Sequence, residues 1–435
     1  MKTNRRSFLK HTVATSLFTS AALHFPFIAR AQSPNSKLNL VSIGVGGRAA
    51  ENLAGVAGEH IHALADVDRN NLDAALKKYA GAKPYRDFRV MLEKEADRID
   101  GVVVSSADHT HATAAAMALR MGKPVYCEKP LTHTVHEARV LRELAAKHRC
   151  VTQMGTQIHA GDNYRRVVEL VQTGAIGEVR EAHVWVNTGY QFSGGRFNGN
   201  TPVPAHLDWD LWLGPVFERP YSAGVHPFDW RRFWDFGNGQ LGDFGCHYMD
   251  LVHWALDLHH PVTVEAKGPP PDAISTPEWL EVKYQHPARK GKPPVALTWH
   301  GGRKPAQLAD LKAAAGQPLD WGSGQLFIGS QGMLVSDYGR HLLLPVDQFK
   351  DFKRPEPFIP KSIGHHAEWI HAIKNGGLTT CDFAYSGPLT ESVLLGNLAY
   401  LTGERLTFDG KTGKLKNAPR ASAMLHKEYR AGWTL

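Results

Sequence analysis

The amino-acid sequence predicts an α/β protein. An N-terminal doubly wound parallel sheet of the Rossmann type is followed by an α+β domain with an open, mainly antiparallel sheet. Three observations predict it. Short apolar runs alternate with amphipathic helical stretches from residue 38 to residue 154, the pattern of a parallel sheet covered on both faces. The first run opens directly into a glycine-rich turn and a helix. After about Gly155 the apolar runs follow one another without intervening helices, which favours antiparallel pairing.

The first strand spans residues 38–43 and leads into Gly44-Val45-Gly46-Gly47-Arg48-Ala49, the G-x-G-x-x-G/A form. Gly44 permits the tight turn, Gly46 lets backbone approach a pyrophosphate, and small Ala49 lets helix and strand pack closely. Gly47 and Arg48 open a helix over 48–57, whose first amides can bind phosphate. A second strand, 61–65, ends at Asp66, 22 residues after Gly44. A carboxylate at that place binds ribose hydroxyls and repels a 2′-phosphate, which favours NAD. Arg69 nearby could offset that repulsion, so NADP stays open. Helices follow at 70–79, 87–95, 110–121 and 134–148, and strands at 101–105, 125–127 and 151–154.

Beyond residue 155 the pattern predicts helices at 162–173, 242–256 and 391–401 and strands at 178–187, 281–284, 295–299, 325–328 and 332–336. An aromatic-rich insertion occupies 190–234. With 435 residues the chain is too long for one core, and the organisation reads as a leader at 1–31, a dinucleotide-binding domain at 32–155 and a substrate and oligomerisation domain at 156–435.

The leader carries Asn4-Arg5-Arg6-Ser7-Phe8-Leu9-Lys10, then a weakly apolar stretch, then Ala29-Arg30-Ala31. This is the order of a twin-arginine export signal and its cleavage site. It implies a periplasmic protein exported already folded, with its cofactor loaded beforehand. Five cations and no Asp or Glu lie in these residues, so the formal charge of +8 falls to +3 without them. That balance gives no footprint for nucleic acid. No later apolar run is long enough to span a membrane. The four cysteines, Cys127, Cys150, Cys246 and Cys381, have neither zinc-knuckle nor CxxC spacing.

Glu128-Lys129-Pro130 follows the 125–127 strand at once. This triplet resembles the signature of the Gfo/Idh/MocA oxidoreductases, a family that includes glucose–fructose oxidoreductase and inositol dehydrogenase. Ser105-Ser106-Ala107-Asp108-His109-Thr110-His111 resembles that family's nicotinamide loop, with Ser106-Ala107 in place of the usual Thr-Pro. Gly155-Thr156-Gln157 and Gly174-Ala175-Ile176-Gly177 resemble its domain-junction pattern, and Gly242 to Asp250 resembles its D-x-G-x-H-x-x-D helix. The resemblance implies cofactor contacts from Ser106, Asp108, His111, Glu128 and Lys129. It also implies a Lys129–Pro130 bond that is often cis, and sheet-mediated oligomers, dimer or tetramer.

Removing a hydride from a secondary alcohol also requires removing a proton. Lys129, at a strand's carboxyl end, is placed to assist, and a neighbouring nicotinamide cation would lower its pKa. Asp243 and His247 are four apart and share one helical face. By resemblance His247 is the proton acceptor and Asp243 steers it, with Asp250 three residues beyond. Asp243, His247 and His253 could hold a metal, but hydride transfer needs none and no metal is assigned. Gln157, His159, Tyr190, His226, Trp230 and Arg231 offer the aromatic faces and planar hydrogen bonders that suit a sugar ring. They equally suit a folded surface loop. The chemistry therefore points to an oxidoreductase acting on a sugar, polyol or glycoside hydroxyl with tightly held NAD or NADP. An NAD-dependent glycoside hydrolase and a non-catalytic sugar-binding relative are the alternatives.

Overall fold

The computed structural model describes residues 36–188, 192–313 and 316–435. The export signal at 1–31 and the substrate candidate Tyr190 lie outside these residues.

The first half is built from β1 (Asn39–Ile43), α1 (Arg48–Val56), β2 (His60–Ala65), α2 (Arg69–Lys78), β3 (Lys83–Tyr85), α3 (Phe88–Glu95), β4 (Gly101–Val104), α4 (Asp108–Arg120), β5 (Val125–Glu128), α5 (Val135–His148) and β6 (Thr152–Gly155). The six strands pair in parallel in the order β3-β2-β1-β4-β5-β6, the dinucleotide-binding order. Alternate residues serve opposite faces. Val41 and Ile43 face one apolar cluster with the buried alanines of α4, while Leu40 joins the other. Short polar side chains start the helices: Asp68 and Asp87 cap α2 and α3, and Thr134 with Glu137 forms a capping box on α5.

The second half comprises α6 (Asp162–Gln172), β7 (Val179–Val186), α7 (Trp209–Leu213), α8 (Gly239–Leu256), β8 (Thr263–Lys267), β9 (Leu280–His286), β10 (Val295–Gly301), β11 (Gly324–Gly329), β12 (Met333–Ser336), β13 (His341–Leu344), α9 (His365–Asn375), α10 (Phe383–Thr402), β14 (Leu406–Asp409), β15 (Lys414–Leu415) and α11 (Pro419–Ala423). Its nine strands run in the order β13-β12-β11-β7-β10-β9-β8-β14-β15. The sheet is mixed: β7 and β10 pair in parallel at its centre, and its other pairs are antiparallel. Helix α10, buried almost all round, packs against both α5 and α8 and so sits between the two sheets.

Helix α9 returns to the first half. Its Trp369 is fully buried beside Leu40, Val103 and Tyr126, on the face of the parallel sheet that α1 also covers. The sequence reading missed α9, the start of α10 around Pro388, and the short strands β3, β8, β13, β14 and β15. Each is too short or too irregular in apolar spacing to stand out locally. Among the described residues no helix is long and apolar enough to cross a membrane.

Burial holds several histidines far below their ordinary pKa: His109, His253 and His365 each fall to about 3. Unfolded histidine takes up its proton near pH 6.5, so below that pH the unfolded chain binds more protons and stability falls as pH falls. Each such group removes about 1.4 kcal/mol per pH unit between the unfolded and folded values. The midpoint of thermal unfolding should therefore drop between pH 7 and pH 5. His253→Phe should flatten that slope in calorimetry across the range.

Candidate active site

The crevice begins where β1 turns into α1. Gly44 has φ 82°, and a Cβ there would lie 2.7 Å from the carbonyl oxygen of Ser105. Only glycine lets this turn sit against the end of β4. Gly47, before the first residue of α1, has φ 50° and nothing within 4 Å of where a Cβ would stand. Bare backbone is thus presented at the helix N-terminus, as a pyrophosphate requires. A Cβ on Gly46 would meet the Asn71 side chain at 2.5 Å. At the end of β2, Asp66 accepts from Val45 N at 2.9 Å and from Asp68 N at 2.8 Å. These bonds aim the carboxylate, and burial raises its pKa. Glycine turn, helix terminus and oriented acid together fit a dinucleotide.

Glu128 lies behind the turn. Its Oε1 accepts from Asn52 Nδ2 at 3.0 Å and from Gln157 Nε2 at 2.8 Å, and Arg48 Nε stands 3.6 Å away. Asn52 also donates to Ser105 Oγ at 2.9 Å, which ties α1 to the ends of β4 and β5.

The next residue, Lys129, precedes a cis Lys129–Pro130 bond and crosses to α8. Its Nζ donates to Asp243 Oδ1 at 2.8 Å and to the Asp243 carbonyl at 2.9 Å. Arg231 Nε approaches the same Oδ1 at 3.4 Å, its guanidinium stacked on Trp230 and Phe228 at 4.3 and 4.7 Å. Both cations meet Oδ1, which leaves Oδ2 for a hydroxyl donor. Burial opposes the Lys129 charge, but Asp243, Glu128 and Asp108 outweigh it and hold the pKa above normal. Burial likewise opposes the Asp243 charge, and Lys129 and Arg231 pull its pKa below normal. Asp108, at the start of α4, is buried, and desolvation raises its pKa to about 8 despite Lys129. Burial thus favours its protonated form near neutrality.

His247 sits one turn beyond Asp243. Burial and the Lys129 charge keep it well below its ordinary pKa, so the ring is neutral. Its Nδ1 lies 2.8 Å from Thr156 Oγ1, which is also 3.1 Å from the Cys246 carbonyl. A carbonyl can only accept, so the hydroxyl proton goes to Cys246 and Nδ1–H donates to Thr156. The lone pair is left on Nε2, the nitrogen of a proton acceptor.

Several candidates are placed differently from the sequence reading. His159 is fully buried, stacked on Trp254 at 4.0 Å with Nδ1 on Asp250 at 2.9 Å, and does not reach the cleft. Asp250 also accepts from Tyr385 OH at 2.6 Å, so it orients His159 rather than His247. Gln157 is held by Glu128 and by Tyr126 OH at 3.0 Å. His111 is a strut, with its two nitrogens each 2.9 Å from the carbonyls of Pro130 and Ser106. Ser106 Oγ accepts from Thr110 at 2.7 Å. Trp230 is buried in the insertion's aromatic cluster. His226 bonds Asp68 Oδ2 at 2.8 Å, on the dinucleotide side of the crevice instead of the substrate side. The Arg69 side chain is exposed while its N–H donates to His206 O at 2.9 Å. The structure brings Lys129, Asp243, His247, Arg231 and Asp108 together. The sequence reading missed Thr156 as the partner of His247. It also missed Tyr338, stacked on Tyr248 at 4.6 Å and 6.4 Å from the His247 ring. Thr156 stood in the quoted junction motif, but its partner is 91 residues away. Among the described residues no group of three or more His, Cys, Asp or Glu converges to hold a metal ion.

Fold and site define an NAD-binding Rossmann oxidoreductase with a second α/β domain. Residues 38–156 match the oxidoreductase family's NAD-binding Rossmann fold and residues 160–290 its C-terminal alpha/beta domain. The chain belongs to the Gfo/Idh/MocA oxidoreductase family. It is 25% identical over 198 residues to myo-inositol 2-dehydrogenase of Thermotoga maritima, covering 45% of this chain and 54% of that protein. The match thus spans about half of that relative's length. In fold it is similar to an inositol dehydrogenase homolog from Azotobacter vinelandii complexed with NADH and myo-inositol (TM-score 0.57, 18% identity, 86% of this chain and 98% of that one). It is also similar to the WlbA dehydrogenase from Bordetella pertussis in complex with NADH and UDP-GlcNAcA (TM-score 0.60, 15% identity, 86% and 99%).

Asp66→Ala should weaken dinucleotide binding about tenfold, since it removes an oriented, partly desolvated acceptor. Titration of dinucleotide fluorescence checks this, and unchanged affinity would mean the ribose is held elsewhere.

Proposed function

We propose that this protein is an exported oxidoreductase that keeps a nicotinamide dinucleotide tightly bound and acts, by hydride transfer, on a hydroxyl of a sugar, polyol or glycoside. One observation carries the reading: Lys129, Asp243, Arg231 and neutral His247 converge at the carboxyl end of β5, beside the dinucleotide turn. In an open α/β sheet that end is where ligands bind.

When bound, NAD supplies the hydride acceptor. The chain's residues supply the rest. Asp243 Oδ2 receives one hydroxyl of a polyol. The Lys129 ammonium donates to the oxygen that becomes the carbonyl, and His247 Nε2 accepts its proton. Arg231 and protonated Asp108 keep the site from becoming anionic, which favours the partly negative oxygen of the transition state. The inositol bound by the Azotobacter vinelandii homolog supports a cyclic polyhydroxylated substrate.

Tight retention is supported by the aromatic insertion. It is fastened to the loop that carries Asp66 through Arg69 N–His206 O and Asp208 N–Val67 O, each 2.9 Å, and through His226 to Asp68. The twin-arginine motif supports export. An exported enzyme with a trapped cofactor must regenerate it in place, either with a second substrate or by a redox-neutral reaction.

Incubation of the purified protein with sugars and aryl glycosides tests the reading. A ketosugar with reduced dinucleotide is expected. Aglycone release without net reduction would make it a hydrolase, and no product a binder. Lys129→Ala should abolish turnover while dinucleotide stays bound, and full activity would remove Lys129 from the mechanism. Thr156→Val should lower kcat about tenfold, part of the roughly 10²–10⁴ that positioned proton transfer contributes, and Thr156→Ser should restore it. Asp108→Asn should remove a titration near pH 8 from the pH profile of kcat/KM.

A further inference from the structure

After α11 the chain runs back across the first half. Lys427 Nζ carries three N–H groups and faces three acceptors: His109 O at 3.3 Å, His133 Nδ1 at 3.1 Å and Glu137 Oε1 at 3.4 Å. His109 lies in the first turn of α4, next to Asp108, and His133 lies in the loop that follows Lys129–Pro130. One ammonium therefore joins the two strand-end loops that bear the catalytic candidates. Glu137 is itself fixed. Its Oε2 accepts from His133 N and Thr134 N at 3.0 and 2.8 Å, and its Oε1 from Tyr429 OH at 2.5 Å.

Arg430 grips the aromatic insertion. Its Nε donates to Gly214 O at 2.6 Å, Nη1 to Asp210 Oδ1 at 2.5 Å, and its backbone N–H to Pro215 O at 3.1 Å. Trp433 then packs under the Arg89 guanidinium at 4.1 Å, and Arg89 donates to Gly432 O at 3.1 Å. Of the residues held by Arg430, Gly214 and Pro215 close α7 and Asp210 lies in its first turn. The other end of α7 is capped by Asp208, which accepts from Leu211 N at 3.1 Å and whose own N–H bonds Val67 O, one residue from Asp66. A continuous chain of bonds runs from the tail through α7 to the loop of the ribose-binding carboxylate.

We propose that Lys427 and Arg430 are positioning residues for the bound dinucleotide. Through the first turn of α4 and through α7 they hold the nicotinamide loop and the aromatic insertion against the crevice, and so set how slowly the dinucleotide leaves. This rests on the dinucleotide reading above and adds to it a retention device distant in sequence from the glycine motif.

The test is the release rate of reduced dinucleotide from purified holoprotein, followed by its fluorescence after dilution. KM for added NAD, kcat and the unfolding midpoint are measured alongside. Arg430→Ala and Lys427→Met should speed release about tenfold, as loss of charged hydrogen bonds would. Both should raise KM for NAD, and in Arg430→Ala, whose contacts lie on the insertion, kcat at saturating NAD holds. Asp210→Asn neutralises the partner of Arg430 at an exposed position and should speed release in the same direction, by less because the amide oxygen still accepts, without touching the core. Arg405→Ala, which breaks the exposed Arg405–Glu265 pair, should leave release unchanged. Release rates in Arg430→Ala and Asp210→Asn equal to wild type would overturn the proposal. So would a fall in kcat and unfolding midpoint with retention unaltered. A wild type that binds no dinucleotide would sink the functional reading as well, so the two failures are told apart by the wild-type titration.

Discussion

The ion pair between Lys129 and Asp243 is the contact on which the site depends. It joins the end of β5 to α8 across 114 residues of sequence and so fixes the parallel sheet against the second half of the molecule. Removing two charges from water is costly, and their attraction compensates only when further hydrogen bonds complete the set. Here the Asp243 carbonyl takes a second Lys129 proton, and Arg231 adds a second cation to the same carboxylate oxygen. Lys129 and Arg231 together set two cations against the Asp243 carboxylate, where a hydroxyl oxygen would become partly negative.

That cluster of charges also sorts the roles of the two basic groups. Asp243 keeps the lysine charged, and the lysine keeps the histidine neutral. Lys129 is then a donor and His247 an acceptor: the carboxylates beside the lysine hold it charged, and burial together with the lysine's charge holds the ring neutral. Thr156 completes the division by choosing which imidazole nitrogen bears the proton.

Much of this was legible in the sequence because the relevant spacings are local. The glycine turn, the acid 22 residues on, the triplet around Lys129 and the Asp243–His247 pair each lie within one or two elements. What escaped was set by partners far along the chain. His159 looked like a cleft residue because nothing nearby announces its bond to Asp250. The aromatic insertion suited a sugar platform and a folded loop equally, and in the structure Trp209 stacks on Trp212, which meets Phe236 just beyond the insertion. Its polar edge, through His206 and His226, meets the β2 loop. The central parallel pairing of β7 with β10 was invisible for the same reason: apolar alternation tells that a strand exists, not which neighbour it takes.

Trp369 has a consequence for how the chain assembles. The cap it places over Leu40, Val103 and Tyr126 is supplied by a helix that begins more than two hundred residues after β6 ends. Losing a buried tryptophan side chain of this kind costs about 3–5 kcal/mol, a large share of a domain's margin. A nascent chain that has emerged only as far as Gly155 would therefore carry all six parallel strands and still expose one oily flank. The stability of the nucleotide half thus draws on residues added to the chain long after its last strand.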